Sequence, residues 1–178
     1  MPHVPQPGVS IHKKSKTFKG FTVFAPTRSK FAYLINMNGE EVHRWEINEG
    51  AINHALLLEN GNLFIGERGP EESPIPMARG GRIREYDWDG NVVWDHVDNT
   101  HHHDARRLAN GNTAYIAWHA IPKKIQKRIK GGLPGTAAPD GRIYGDVIRE
   151  VNPAGDVVWE WRCWEHMKVE NYPITAQY

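Results

Sequence analysis

Four consecutive residues concentrate most of the chemistry in this chain: His101-His102-His103-Asp104, with Arg106 and Arg107 just beyond them. Imidazole changes charge near neutral pH, and its nitrogens serve as nucleophile, general acid or general base. His119 lies further along the same stretch, and an earlier, related stretch holds Asn53-His54. Three roles stay open for these histidines. They act as nucleophiles or acid–base groups, they are structural residues hydrogen-bonded to neighbouring elements, or they hold a metal with nearby carboxylates. The metal role is the least favoured. Side chains of adjacent strand residues point to opposite faces, so three consecutive histidines do not all reach one ion. The chain also lacks an H-E-x-x-H zinc spacing.

The elements that must position these residues follow from internal repeats. Three segments superimpose without gaps: AYLINMNGEEVHRW (32–45), IREYDWDGNVVWDH (83–96) and IREVNPAGDVVWEW (148–161). Each reads as strand, turn, strand. Asn38-Gly39 and Asp89-Gly90 predict type I′ turns, with positive φ at both central residues, and Ala154-Gly155 is a weaker version. A second hairpin follows in two repeats, HALLLENGNLFIG (54–66) and DARRLANGNTAYIA (104–117), with turns at Asn60-Gly61 and Asn110-Gly111.

Two hairpins make four antiparallel strands in about fifty residues, the period of a β-propeller blade. The expected fold is therefore all-β: a partial propeller of about 2.5–3 blades over residues 20–167, in repeats 20–69, 80–120 and 146–167. Residues 1–19 form an N-terminal extension and 168–178 a C-terminal tail. The third repeat stops before its second hairpin, and the strand FTVFAP (21–26) is expected to pair with the last blade as a closing strand. Closed propellers need at least four blades. The chain is accordingly expected to be a fragment, a split gene product, or a subunit completed by another.

An insertion at 121–145 separates the second and third repeats. Pro122 opens a short basic helix near 121–131, and Gly131-Gly132 closes it. Ile121, Ile125 and Ile129 share one face, while Lys123, Lys124, Lys127, Arg128 and Lys130 cover the rest. That cationic surface is either a solvated face or a lid for an anionic substrate.

Bulk properties remove several function classes. Net charge is +1 over 178 residues, so no global field draws in nucleic acid or an anionic membrane. No apolar run approaches the roughly twenty residues of a spanning helix. The N-terminus has no apolar signal core, which predicts a cytoplasmic protein, or a periplasmic one if a signal has been removed. The single cysteine, Cys163, excludes an internal disulfide and a Cys-rich zinc site, and it reads as a buried inert thiol. There is no G-x-G-x-x-G, no G-x-x-x-x-G-K and no G-x-S-x-G.

Repetition also separates packing from chemistry. Trp45, Trp94, Trp159 and Trp161 recur on the second strand of each hairpin and are expected in the core. Arg84 with Arg149, and Glu85 with Glu150, also align and suggest cross-strand ion pairs. Trp88 and Trp118 are irregular and are candidates for lining a pocket.

The runs GGRIREYDWDGNVVWDH, HHHDARRLANGNTAYIA and DVIREVNPAGDVVWEWRCWEHM together resemble the bacterial arylsulfotransferase-like propeller proteins. The resemblance covers roughly residues 20–167. It implies a six-bladed propeller that moves a sulfuryl group from one phenol to another through a sulfohistidine, with no nucleotide donor and no cofactor. The expected small-molecule partners are an aryl sulfate and a phenol. The resemblance places the shared H-H-D motif on His102, His103 and Asp104. His102 and His103 are the catalytic candidates, with His54 a weaker third. Arg106, Asp104, His119 and Trp118 are the substrate-binding candidates. Further active-site histidines, the nucleophile among them, are expected in blades beyond the W-E-H segment. Two other readings remain: a non-catalytic propeller fragment that binds a ligand or partner, and a lyase using histidine as acid or base on the same fold.

Overall fold

A computed structural model describes residues 9, 11–48, 50–75, 80–129 and 138–168. Most of the N-terminal extension, the Gly131-Gly132 helix stop and nearly all of the C-terminal tail lie outside the described residues. Among the described residues the architecture is all-β, with eleven antiparallel strands in three sheets, none closed on itself, consistent with a partial β-propeller. The first sheet has three strands in the order β1 (Thr22–Phe24), β2 (Phe31–Ile35), β3 (Glu41–Glu46). The second has four in the order β4 (Ala51–Leu57), β5 (Leu63–Arg68), β6 (Gly81–Tyr86), β7 (Val92–Val97). The third comprises β8 (His101–Arg107), β9 (Thr113–Ala120), β10 (Tyr144–Val151) and β11 (Val157–Arg162), again in simple up-and-down order.

The sheets are out of phase with the sequence repeat. The hairpin over 54–66 shares its sheet with the one over 83–96, and the hairpin over 104–117 shares with that over 148–161. The two hairpins of one repeat thus fall in different sheets. The strand within FTVFAP is also reassigned: β1 pairs with β2, through Thr22–Ile35, Val23–Leu34 and Phe24–Tyr33, and not with the last sheet.

All five hairpins use one turn, and it is not type I′. In each, the glycine N–H donates to the carbonyl three residues back, and that earlier residue's N–H donates to the carbonyl of the residue after the glycine. Examples are Gly39 to Asn36 at 3.0 Å with Asn36 to Glu40 at 3.0 Å, and Gly111 to Leu108 at 3.0 Å with Leu108 to Asn112 at 2.8 Å. Only the glycine is left-handed, with φ of 81° at Gly39, 85° at Gly61, 87° at Gly90, 84° at Gly111 and 91° at Gly155. This is a type I turn closed by a left-handed glycine, the three-residue hairpin loop. Asparagine or aspartate side chains make it favourable by taking up spare amides. Asn36 Oδ1 accepts from Asn38 and Glu40, and Asp87 Oδ1 accepts from Asn91.

The aligned glutamates serve the same turns. Glu85 Oε1 accepts the Asn62 amide at 2.7 Å, and Glu150 Oε1 accepts the Asn112 amide at 2.6 Å. The expected cross-strand ion pairs instead join each aligned arginine to an acid on the facing strand: Arg84 to Asp95 at 3.3 Å and Arg149 to Glu160 at 2.6 Å.

Contacts divide the chain into two compact units, Met1–Glu67 with Arg84–Asp95, and Arg68–Ile83 with His96–Tyr178. The first unit has a core of Ala32, Leu34, Trp45, Ile47, Leu63, Ile65 and their neighbours. Leu63, Phe64 and Ile65 are consecutive and all fully buried, so β5 is covered on both faces. Each such side chain stabilises the fold by roughly 2 kcal/mol. Burying charge there requires partners: Glu67, with no exposed surface, accepts from Tyr86 Oη at 2.5 Å and Arg84 Nη1 at 3.0 Å. Burial, reinforced by that carboxylate, pushes the Tyr86 hydroxyl up to about 12.

The second unit buries Ala105, Tyr115, Ala117, Val147, Val151 and Trp164. Its most regular ladder runs unbroken from Tyr144–Ala120 to Val151–Thr113.

The tryptophan expectation holds in part. Trp45 is buried and donates its indole N–H to the Asp87 carbonyl at 2.9 Å. Trp94 and Trp161 are partly covered, but Trp159 is 51% exposed. The basic helix is shorter than expected: α1 (Lys123–Gln126) is a single turn, with Ile121 buried and Lys123, Lys124, Lys127 and Arg128 exposed. Among the described residues, no helix is long and apolar enough to cross a membrane.

The turn geometry makes a stability prediction. A Cβ on Gly90 meets nothing within 4 Å, so Gly90→Ala should cost only the left-handed strain, about 1–2 kcal/mol. A Cβ on Gly80 would sit 2.6 Å from the His101 ring and 2.7 Å from its carbonyl, so Gly80→Ala should destabilise more. Thermal or urea unfolding of the two variants against the parent checks the order.

Candidate functional site

The His102–Asp104 run sits where β8 breaks its register with β9. His101 faces Ala117 and Ala105 faces Tyr115, so three residues of β8 stand opposite the single residue Ile116. This is a β-bulge with two extra residues, and within it His103 adopts a left-handed backbone with φ 57°. Left-handed histidine is uncommon and costs about 1–2 kcal/mol. Asp104 helps hold the bulge: its Oδ1 accepts the Ala105 N–H at 2.9 Å and a short bond from Arg106. The same break occurs in the second sheet, where Ala51 faces Glu67 and Ala55 faces Ile65. It therefore belongs to the repeat.

The bulge overturns the alternation argument used for the histidines. His102 Nδ1 and His103 Nδ1 lie 2.8 Å apart, with their rings nearly perpendicular. Neighbouring residues thus present their rings to each other, which a regular strand forbids. His102 is buried and its ring stacks on Trp118, with centroids 3.8 Å apart and planes 18° apart. His103 is exposed. On the far side of His102, Nε2 makes no hydrogen bond, and Asp146 Oδ1 stands 3.5 Å from it. Asp146 is placed there by the β9–β10 ladder, in which it is the direct partner of Trp118. The Trp118 indole N–H is buried without a partner.

The remaining candidates separate. His119, next to Trp118 on β9, belongs to another cluster. Its Nδ1 lies 3.3 Å from Arg149 Nη2, and its ring approaches Trp164. Arginine has no acceptor, so this nitrogen accepts and the neutral ring carries its hydrogen on Nε2. Gly145, opposite His119, has no room for a side chain: a Cβ would lie 2.8 Å from Cys163 Sγ. Cys163 itself is only partly covered, and burial raises its thiol pKa, so it is a poor nucleophile. Arg106 is exposed and spends Nη1 on Asp104 and the Ala105 carbonyl. His54 belongs to the first unit, where its ring approaches Phe64 at 6.1 Å. Trp88 does line a cleft, of about 640 Å³, with His43, Trp45 and Asn48 in the first unit. Among the described residues, no three His, Cys, Asp or Glu side chains converge to hold a metal ion.

A charged network anchors the sheet beneath the site. Arg149 donates to Asp98 Oδ2 at 2.6 Å, Glu160 Oε2 at 2.6 Å and Thr100 Oγ1 at 3.0 Å. Tyr115 Oη donates to Asp98 Oδ2 at 2.8 Å and lies 3.1 Å from His96 Nε2, which must then donate to it. Burial works against the Asp98 charge. The bonds from Thr100 and Tyr115 and the Arg149 charge outweigh it and hold the carboxyl below its ordinary range. Burial and the Asp98 charge drive the Tyr115 hydroxyl up. Asp146 and Asp98 escaped the sequence reading. Asp146 opens the D-V-I-R-E-V run but becomes visible only once the β9–β10 register is known.

Asp98→Asn removes the charge that faces Arg149. It should lower stability by roughly 2–3 kcal/mol at neutral pH. The folded carboxyl titrates below the 3.8 of an unperturbed aspartate, so its contribution is complete above that pH. It is lost as pH falls through the depressed value. Unfolding curves of parent and variant should therefore stay separated above about pH 4 and converge in stronger acid.

The family model described as Arylsulfotransferase (ASST) matches residues 9–177. No curated protein matches the sequence. A solved structure of a protein of unknown function from Bacteroides caccae is similar over 84% of this chain and 48% of its own, at 13% identity and a TM-score of 0.49. The chain thus spans about half the length of that protein. Because the family model covers residues 9–177, and with them every strand described above, this chain belongs to the arylsulfotransferase (ASST) family.

Proposed function

We propose that the chain takes part in transferring a sulfuryl group from an aryl sulfate to a phenol through a histidine intermediate, with His103 as the proton-handling residue. The observation that carries this reading is an exposed imidazole held at its inner nitrogen by a buried one, His103 on His102 at 2.8 Å. An exposed acid–base group oriented by a fixed partner is the arrangement general acid–base catalysis needs.

The chemistry has two halves. In the first, a histidine nitrogen bonds to sulfur, the S–O bond breaks, and the leaving aryl oxygen takes a proton. In the second, the acceptor phenol loses its proton, its oxygen bonds to sulfur, and the N–S bond breaks. One imidazole that gives a proton and then recovers one serves both halves. Trp118 stacks on His102 and fixes the plane of its ring. Asp104 and Arg106 stabilise the bulge that carries His103. Arg106 is also the nearest exposed guanidinium in sequence for sulfate oxygens.

The test is incubation with 4-nitrophenyl sulfate and a phenol acceptor, following 4-nitrophenolate release and sulfation of the acceptor. His103→Ala should reduce the rate by on the order of a hundredfold, the usual contribution of a positioned acid–base group. His102→Ala should do nearly as much, whereas His54→Ala should leave most of the rate. If neither this chain nor a longer protein containing it releases nitrophenolate, the reading fails.

A further inference from the structure

We propose that Asp146 is a positioning residue that sets the proton arrangement of the His102–His103 pair, leaving Nε2 of His103 without a hydrogen and able to accept one. The inference rests on the sulfuryl-transfer reading for its purpose, but its geometry stands independently.

Two imidazole nitrogens 2.8 Å apart share one proton, so one donates and the other accepts. There are two neutral arrangements. If His102 donates from Nδ1, its Nε2 presents a lone pair to the Asp146 carboxylate 3.5 Å away, which is repulsive. If His103 donates from Nδ1, then His102 accepts there and carries its hydrogen on Nε2, facing the carboxylate. The second arrangement is the favoured one. A neutral His103 that donates from Nδ1 has its lone pair on Nε2.

The surroundings strengthen the bias. The His102 side chain is 4% exposed and stacked on Trp118, so little water screens its ring. Asp146 is 57% exposed and stands at the edge of the site. At 3.5 Å the contact lies just beyond a direct hydrogen bond. Contacts of this kind commonly shorten when substrate binds.

The arrangement matches the proposed proton steps. The acceptor phenol gives its proton to His103 Nε2 as its oxygen bonds to sulfur and the N–S electron pair returns to nitrogen. The resulting imidazolium still donates from Nδ1 to His102. In the first half His103 starts as the imidazolium, having taken a proton from solvent at Nε2, and gives that proton to the leaving aryl oxygen as the S–O bond breaks, which returns it to the neutral form with Nε2 bare. Asp146 touches neither substrate nor the reacting atoms and acts through His102.

Nitrogen-15 NMR of the labelled protein reads the tautomers directly. The expected result is a hydrogen on Nε2 of His102 and on Nδ1 of His103, with Asp146→Asn moving both rings toward the opposite arrangement. In the nitrophenyl sulfate assay, Asp146→Asn should lower kcat by on the order of tenfold or more with KM little changed. Asp146→Glu should recover part of the loss. A hydrogen on Nε2 of His103 with none on its Nδ1 in the parent overturns the proposal, as do unchanged tautomers in a folded Asp146→Asn protein. The parent spectrum alone decides the assignment if the variant misfolds. The expected tautomers without any sulfuryl transfer would retain the Asp146 assignment and reject the transfer reading.

Discussion

A regular strand sends neighbouring side chains to opposite faces, and the site depends on β8 breaking that rule. Three residues of β8 occupy the space opposite one residue of β9, and His103 takes a left-handed backbone to make this possible. Only then do the rings of His102 and His103 meet. The strain is local, and the sheet around it is built to withstand it. On one side the ladder between β9 and β10 runs without a fault. On the other, Asp104 supplies the acceptor that the displaced Ala105 amide lacks.

Burial grades the groups of the second unit by role. Asp98, Arg149, Tyr115 and Thr100 are partly or fully covered and satisfy one another, so their charges are committed to structure. His119 is drawn into that network by Arg149. The His102–His103 pair differs. It has one covered ring and one exposed ring, a single proton between them, and a half-exposed carboxylate at its inner end.

Much of the architecture was legible because turns and apolar alternation are local properties. The glycines at 39, 61, 90, 111 and 155 mark the hairpins, and the superposed segments reveal the repeat. Three features were not legible. The turn type was misread because Asn-Gly suits two turns, and the choice depends on whether one or both residues are left-handed. The grouping of hairpins into sheets was shifted because a periodic sequence has no preferred starting point. The site was half visible: His102 and His103 stood out by composition, but the bulge that joins them leaves no mark in residue type. Asp146 contributes through its place opposite Trp118, a non-local pairing.

Residues 121–143 join the two strands of the longest ladder among the described residues. Closing such a loop costs roughly 2 kcal/mol more in chain entropy than closing a three-residue turn. The hairpins at 104–117 and 148–161 close locally and quickly, whereas β9 and β10 must find each other across this gap. Trp118 is delivered by one hairpin and Asp146 by the other. The carboxylate and the histidine pair thus come from different hairpins, and only the β9–β10 pairing brings them together.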